Sequence, residues 1–411
     1  MKRKHLVDAR LSIILFALAF VAYALVYMTK NCYSAAMAGI VAEGIMTKSQ
    51  TGLISAAFYI VYAPFQIVGG FAADKYSPHK LIAIGTLGAG IANLLIYFTQ
   101  SYVAMIIIWC LNGMAQFGIW PSIFKIVSSE LAEKQAVNGV VYIGLASITG
   151  LLLSYVLAVF ILDWKNNFLI SSIVLFVITV VFYIIYVKIE KHMVVEELTV
   201  KKEARKDTER PRVIGVVIKS GAPILFAAYV IHNMLNIGIK AIAPVMLMES
   251  YNGVSPSLAN ALNIILVLAG ASGVFIASIS FFRRLSSPVA IGGFFILCLP
   301  FLFVITRIGQ VDIVISVLSM ASLMLLFSSS APFFLKISKA FAPYGCVATV
   351  SGILNCVASV GIVLSNYLFT KLSEDYGWEF TAKFWFFLML FAVILCVAAI
   401  PIWKKFLGKT G

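Results

Sequence analysis

The chain has 411 residues, 62% hydrophobic and 12% charged, with a net charge of +14. A soluble domain is about half apolar and about a quarter charged. A fold of this size has too little interior to hide the excess, so a soluble enzyme and a nucleic-acid-binding protein are excluded. In a membrane protein the same positive charge belongs to cytoplasmic loops.

A spanning helix takes about 20 mainly apolar residues. Twelve such segments are read in order, at 11–42, 50–73, 80–99, 102–128, 138–162, 167–188, 220–248, 256–282, 288–306, 311–335, 346–370 and 380–403. The first follows Lys2, Arg3, Lys4 and Arg10. Its apolar run of about 30 residues outlasts a signal-peptide core, so it reads as an uncleaved first helix. The one long polar stretch, Lys188 to Arg212, ends in a proline-arginine pair and reads as a cytoplasmic linker. The predicted organisation is a six-helix bundle over 1–188, a linker over 189–214 and a second six-helix bundle over 215–411. With the N-terminus placed in the cytoplasm, 24 of the 31 Lys and Arg fall in inner loops and tails, and five in outer loops. That bias predicts both termini cytoplasmic in a cell membrane, of the bacterial inner or plasma type. The fold class is therefore an all-α polytopic membrane protein of twelve transmembrane helices in two six-helix pseudo-repeats. The six cysteines lie in or beside apolar segments without metal-ligand spacing and read as small buried hydrophobes.

The halves repeat. Lys30 recurs as Lys240, Ser77-Pro78 as Ser287-Pro288, Pro121-x-x-x-Lys125-Ile126 as Pro332-x-x-x-Lys336-Ile337, and Trp164 as Trp378, at offsets of 210, 210, 211 and 214. Four matches in order at nearly one offset mark an internal duplication, and parallel six-helix repeats place a substrate site near the midplane. With these features the chain resembles the major facilitator superfamily. Gly70-Phe71-Ala72-Ala73-Asp74-Lys75 is similar to that superfamily's loop signature between spans two and three. Tyr76-Ser77-Pro78-His79, Lys30-Asn31-Cys32-Tyr33-Ser34-Ala35-Ala36-Met37, Asn112-Gly113-x-x-Gln116-x-x-x-Trp120-Pro121 and Tyr376-Gly377-Trp378 resemble the organophosphate:phosphate antiporter branch. In that branch, the resemblance implies, an arginine on the first span and one on the seventh hold the phosphate. The matching positions here are Thr29 and Asn236, and Ser147 stands where that branch has a histidine.

Polar groups inside a membrane are costly and mark function by default. On the first span Tyr23, Tyr27, Lys30, Asn31 and Ser34 share one helical face, and on the seventh His232, Asn236 and Lys240 share another. A lysine facing lipid at mid-span costs about 2.5–3.5 kcal/mol or more, so both lysines are predicted to face inward. Tyr59, Tyr62 and Gln66, then Asn112, Gln116 and Trp120, then Asn355, Ser359 and Asn366 form uncharged polar faces that either bind substrate or join helices. The candidate binding set is Lys30, Lys240, Asn31, Tyr23, Tyr27, His232, Asn236, Tyr62, Gln116 and Asn355. Asp74, Lys75, Lys80 and Lys125 form a candidate inner gate, with Asp74 pairing Lys125 or a helix N-terminus; Arg284 takes the Asp74 position in the second half. Gly139, Gly144 and Gly150 suit close helix packing.

None of the 17 acids sits at mid-span, with Asp74 and Glu130 at inner ends and Glu43 and Glu249 at outer ends. Two lysines without an acid make an electropositive cavity that suits an anion. No phosphate-binding loop, metal set or nucleophile constellation is present, so neither a cofactor nor enzymatic chemistry is expected. The sequence predicts a monomeric secondary transporter of a small organic anion, phosphorylated or carboxylated, embedded in lipid and binding no nucleic acid. A membrane sensor that binds a metabolite without moving it is the alternative, and a multidrug exporter is disfavoured by the missing acid.

Overall fold

The computed structural model describes residues 2–197, 213–277, 279, 285–344 and 346–408. The central part of the expected linker, 198–212, and Arg284 lie outside the described residues. Eleven helices among them are long and apolar enough to cross a membrane. They are α1 (Ala9–Ala42), α2 (Lys48–Lys75), α3 (Pro78–Tyr97), α4 (Tyr102–Glu130), α5 (Glu133–Phe160), α6 (Trp164–Glu190), α7 (Ala222–Ser250), α8 (Pro256–Ala277), α9 (Ser287–Ile305), α10 (Ile313–Lys339) and a last helix, Val347–Leu407. That last helix holds two spans, α11 (347–376) and α12 (378–407), because Gly377 breaks it at φ 83° and ψ 171°. Only glycine adopts that backbone without steric cost. The sequence reading left 371–379 as a gap. Instead the helices run on to Gly377, carried past the apolar run by the i,i+4 pairs Lys371–Asp375 and Glu379–Lys383, both at 2.6 Å.

Local chemistry sets the ends. Asp8, Asp163 and Asp312 each cap a helix by accepting from the N–H two residues on, at Arg10, Lys165 and Val314. Pro78 and Pro288 sit in the first turns of α3 and α9, where a missing N–H costs nothing. Pro121 lies inside α4, which is not regular: a 3₁₀ turn at Gln116–Gly118 precedes it and a π turn at Ile126–Glu130 follows. Proline removes an interior hydrogen bond, so the helix rewinds around it. A short antiparallel pair, β1 (Lys2–His5) with β2 (Val194–Glu197), ties the N-terminus to the chain beyond α6.

The chain divides into two compact units. One comprises Met1–Met46 with Ala57–Ala204, and the other Thr47–Ala56 with Arg205–Gly411. The first turns of α2 thus pack with the second unit. In the first unit α1 packs along α5 and α6 around Leu15, Ala19, Ala22, Ile123, Ile126 and Phe182. Gly150 makes the α1–α5 contact possible, since a Cβ there would lie close to the Ala24 carbonyl oxygen and 2.6 Å from Tyr27 Cβ. Gly139 is also tightly packed, but Gly144 faces open space and plays no packing part. In the second unit α7 packs on the last helix and α8 on α10. Four cysteines are buried as expected; Cys356 is exposed, and Cys110 is half-buried with its thiol donating to the Ala57 carbonyl of α2.

Candidate functional site

Lys30 is the centre of the first unit's site. It sits about three turns before the end of α1 and is buried at 8% exposure. Its Nζ lies 4.4 Å from the ring centre of Tyr62, 4.8 Å from Tyr59, 5.0 Å from Tyr27 and 5.2 Å from Phe58. The spacing of Phe58, Tyr59 and Tyr62 puts all three on the α2 wall that meets Lys30. Among the described residues no carboxylate or hydrogen-bond acceptor holds this ammonium. Removing an ammonium from water costs several kcal/mol. Each desolvated cation–π contact returns about 2 kcal/mol or more through the ring quadrupole, and the rings carry no net charge. The rings therefore steady the charge without neutralising it.

Around this cage Tyr23 lies against Tyr27 at 5.4 Å and Trp120 at 5.0 Å, extending an aromatic wall along α1 and α4. Asn31 donates its Nδ2 to the Tyr27 carbonyl at 2.7 Å, so it braces its own helix. Gln116 is buried and donates to Asn112 Oδ1 at 2.8 Å; Asn112 Nδ2 and, separately, Gln66 Nε2 have no partner among the described residues. Thr29 Oγ1 is spent on the Val26 carbonyl and Ser147 Oγ on the Gly144 carbonyl.

In the second unit Lys240 is half-buried on α7, and its carbonyl accepts from Asn263 Nδ2 at 2.9 Å. Asn236 is half-buried, with no partner at Oδ1 among the described residues. His232 joins helices: Nε2 donates to the Phe327 carbonyl on α10 at 3.0 Å, inside a cluster of Tyr229, Phe295, Phe327 and Phe334. Asn355 is exposed on α11 and accepts at its carbonyl from Ser359.

At the expected inner gate, Lys125 donates to the Ala73 carbonyl in the last turn of α2, not to the Asp74 carboxylate. Asp74 is exposed and makes no ion pair among the described residues, and Lys80 is exposed too. Lys75 lies 5.7 Å from the Tyr76 ring. The repeat-related Lys336 does the same as Lys125, donating to the Leu285 carbonyl before α9 at 3.2 Å. Backbone, rather than the acid, is what the two lysines share.

Three carboxylates that the sequence places only as helix ends have partners it does not show. Glu130 is buried at 5% exposure, with Tyr186 Oη donating to it at 2.7 Å and the Leu6 N–H donating to its carbonyl. Glu43 accepts from Trp164 Nε1 at 3.0 Å, and Glu249 from Trp378 Nε1 at 2.6 Å. The repeat of the two tryptophans was the available signal for those carboxylate–indole pairs.

Two units of six spans, one with a lysine enclosed by aromatic rings at mid-helix, define a polytopic carrier-like membrane protein. The family model described as Major Facilitator Superfamily matches residues 19–366, and the chain belongs to that family. It is 36% identical over 117 residues, 28% of this chain and 26% of the relative, to the membrane sensor protein UhpC of Salmonella typhimurium. It is 26% identical over 121 residues, 29% of this chain and 26% of the relative, to a probable hexose phosphate transport protein of Chlamydia trachomatis. Each match spans about a quarter of the relative's length. These relatives are consistent with an organophosphate:phosphate antiporter-like branch. The fold is also that of a bacterial homolog to the human lysosomal transporter Spinster, at a TM-score of 0.73 and 14% identity, covering 97% of this chain and 98% of that one. The family is one of transporters rather than enzymes.

Proposed function

We propose that the chain is a secondary active transporter of a small organic anion, working by alternating access with both termini in the cytoplasm. The observation that carries this reading is Lys30: a buried ammonium held by four rings and no acid keeps its positive potential for a ligand. Lys240 is the repeat-related charge of the second unit, and Tyr23, Tyr27 and Tyr62 are the aromatic contacts proposed around the substrate. The positions that carry arginine in the phosphate-binding branch are Thr29 and Asn236 here. A lysine lacks the bidentate fork that suits phosphate and carboxylate alike and meets either as a point charge, so a phosphorylated and a carboxylated anion both fit. Similarity to a probable hexose phosphate transport protein supports a metabolite anion as the class.

Similarity to a membrane sensor protein favours a second reading, binding without turnover. A thermal-shift screen of purified protein against organic anions identifies binders, since a ligand that binds only the folded state raises its melting point. Flux of that anion into proteoliposomes then separates the readings. Counterflow supports a transporter; saturable binding without flux supports a sensor.

A further inference from the structure

A cavity of about 270 Å³ opens between the N-terminal turns of α1 and of α5, far from Lys30. Ile13 and Phe16 of α1 form one wall, and Lys134, Gln135, Asn138 and Tyr142 of α5 form the other. Gly139 lies between them as the floor; a Cβ there would come 2.8 Å from Val127 Cγ1 and 3.3 Å from Phe16 Cδ2, so the groove depends on its missing side chain. Lys134, Asn138 and Tyr142 are four residues apart and share one face of α5. No acid lines the cavity; Glu133 is exposed at the neighbouring position and is not part of the lining. Lys134 is exposed and makes no ion pair or hydrogen bond among the described residues. The cavity therefore offers one unneutralised cation, two amides and a phenol opposite a purely apolar wall.

Its position on α1 gives this chemistry a use. Phe16 precedes Lys30 by 14 residues, about four helical turns, so the two lie on nearly the same face about 21 Å apart along the axis. Phe20, Tyr23 and Tyr27 fill the stripe between them. These rings pack against the core of the first unit, and the cavity lies where their stripe ends, at the N-terminal end of α1.

We propose that this cavity is a second, weaker anion subsite, a vestibule that takes a water-soluble organic anion with its charged head on Lys134 and the amides and its carbon body on Ile13 and Phe16. The proposal rests on the reading of the Lys30 face as the transport path. An anionic lipid would present the same chemistry, a charged head on an apolar body, so the test must separate the two.

The probe is benzoate, with benzamide as its neutral match. Full-length protein carrying Tyr142→Cys at the rim, together with Cys356→Ser to remove the exposed native thiol, is reconstituted in phosphatidylcholine vesicles. Modification of the introduced thiol by a thiol reagent is timed with and without the probe. Benzoate is expected to slow modification about threefold at a concentration of about twice its dissociation constant, where about a third of the sites remain free. Benzamide is expected to do little, and adding Lys134→Gln should abolish the benzoate effect. Equal protection by both compounds, no protection, or protection that survives Lys134→Gln would overturn the subsite. If phosphatidylglycerol vesicles shield the introduced thiol without any probe, lipid is the occupant and the proposal fails. Lys30→Ala in the same background is expected to leave benzoate protection intact, so failure at Lys30 and failure at the vestibule are read separately.

Discussion

The carboxylate–indole pairs allow the duplication itself to serve as an internal control. In the second unit Glu249 Oε2 accepts from Lys48 Nζ at 2.8 Å and from Trp378 Nε1 at 2.6 Å, with side-chain exposures of 16% for Lys48 and 27% for Glu249. Lys48 also donates to the Ser373 carbonyl at 3.2 Å, and the Ser49 N–H donates to Glu374 at 2.7 Å, so the first turn of α2 is tied down at several points. In the first unit Glu43 has the tryptophan partner alone among the described residues. Glu→Gln at either position keeps shape and acceptor but removes the charge. A hydrogen bond to a charged group is worth about 1.5–3 kcal/mol against about 0.5–1.5 for a neutral one, so each bond loses about 1 kcal/mol. Glu249→Gln should then cost about 2 kcal/mol and Glu43→Gln about 1, since partial exposure limits both. At about 2–4 °C per kcal/mol for a unit of this size, the melting point should fall about twice as far for Glu249→Gln. Thermal unfolding in detergent, followed by tryptophan fluorescence, measures both variants side by side. An equal fall, or a larger one for Glu43→Gln, would refute the reasoning.

Three further outcomes are expected. Cysteine labelling from outside intact cells should reach probes at Asn166 and Asp312 but not one at Lys206; the reverse pattern overturns the topology drawn from the loop charges. Tyr62→Phe should keep substrate affinity within a few-fold because the ring remains over Lys30, whereas Tyr62→Leu should cost about 1–2 kcal/mol, roughly five- to thirtyfold. Equal behaviour of the two variants in a binding titration would remove the ring's role. Lys125→Met, which deletes the bond to the Ala73 carbonyl, should change the rate of conformational exchange, seen by single-molecule fluorescence, more than Asp74→Asn does. A larger effect at Asp74 would return the gate to the acid.

The helices were legible because apolar runs of spanning length have one stable outcome in lipid, and the duplication because lysine, proline and tryptophan stand out against a hydrophobic background. Lys30 was legible for the same reason: a charge in an apolar run must have a role. Its cage was only half legible. Tyr59 and Tyr62 read as a polar face, but Phe58 looks like any core residue until α1 and α2 are brought together. Glu130 read as a helix end, which it is. Its burial follows from Tyr186 on α6 and from the strand at Lys2–His5, which pairs with a partner about 190 residues away. Neither contact leaves a local pattern. Lys125 meets the Ala73 carbonyl rather than Asp74 because the last carbonyls of a helix lack intrahelical partners, and composition does not register a backbone acceptor.

Recognition of the substrate by Lys30 is tested most directly by the binding of one anion to three proteins. The anion is the one that raises the melting point most in the screen, titrated against the natural chain, Lys30→Ala and Lys30→Gln. An ion pair at about 4 Å in an effective dielectric near 20 is worth roughly 4 kcal/mol before desolvation takes its share. Both variants should therefore bind about ten- to several-hundredfold more weakly, at about 1.4 kcal/mol per factor of ten, while a neutral analogue binds all three alike. Unchanged affinity in folded Lys30→Ala and Lys30→Gln would contradict the claim that this caged ammonium recognises the substrate.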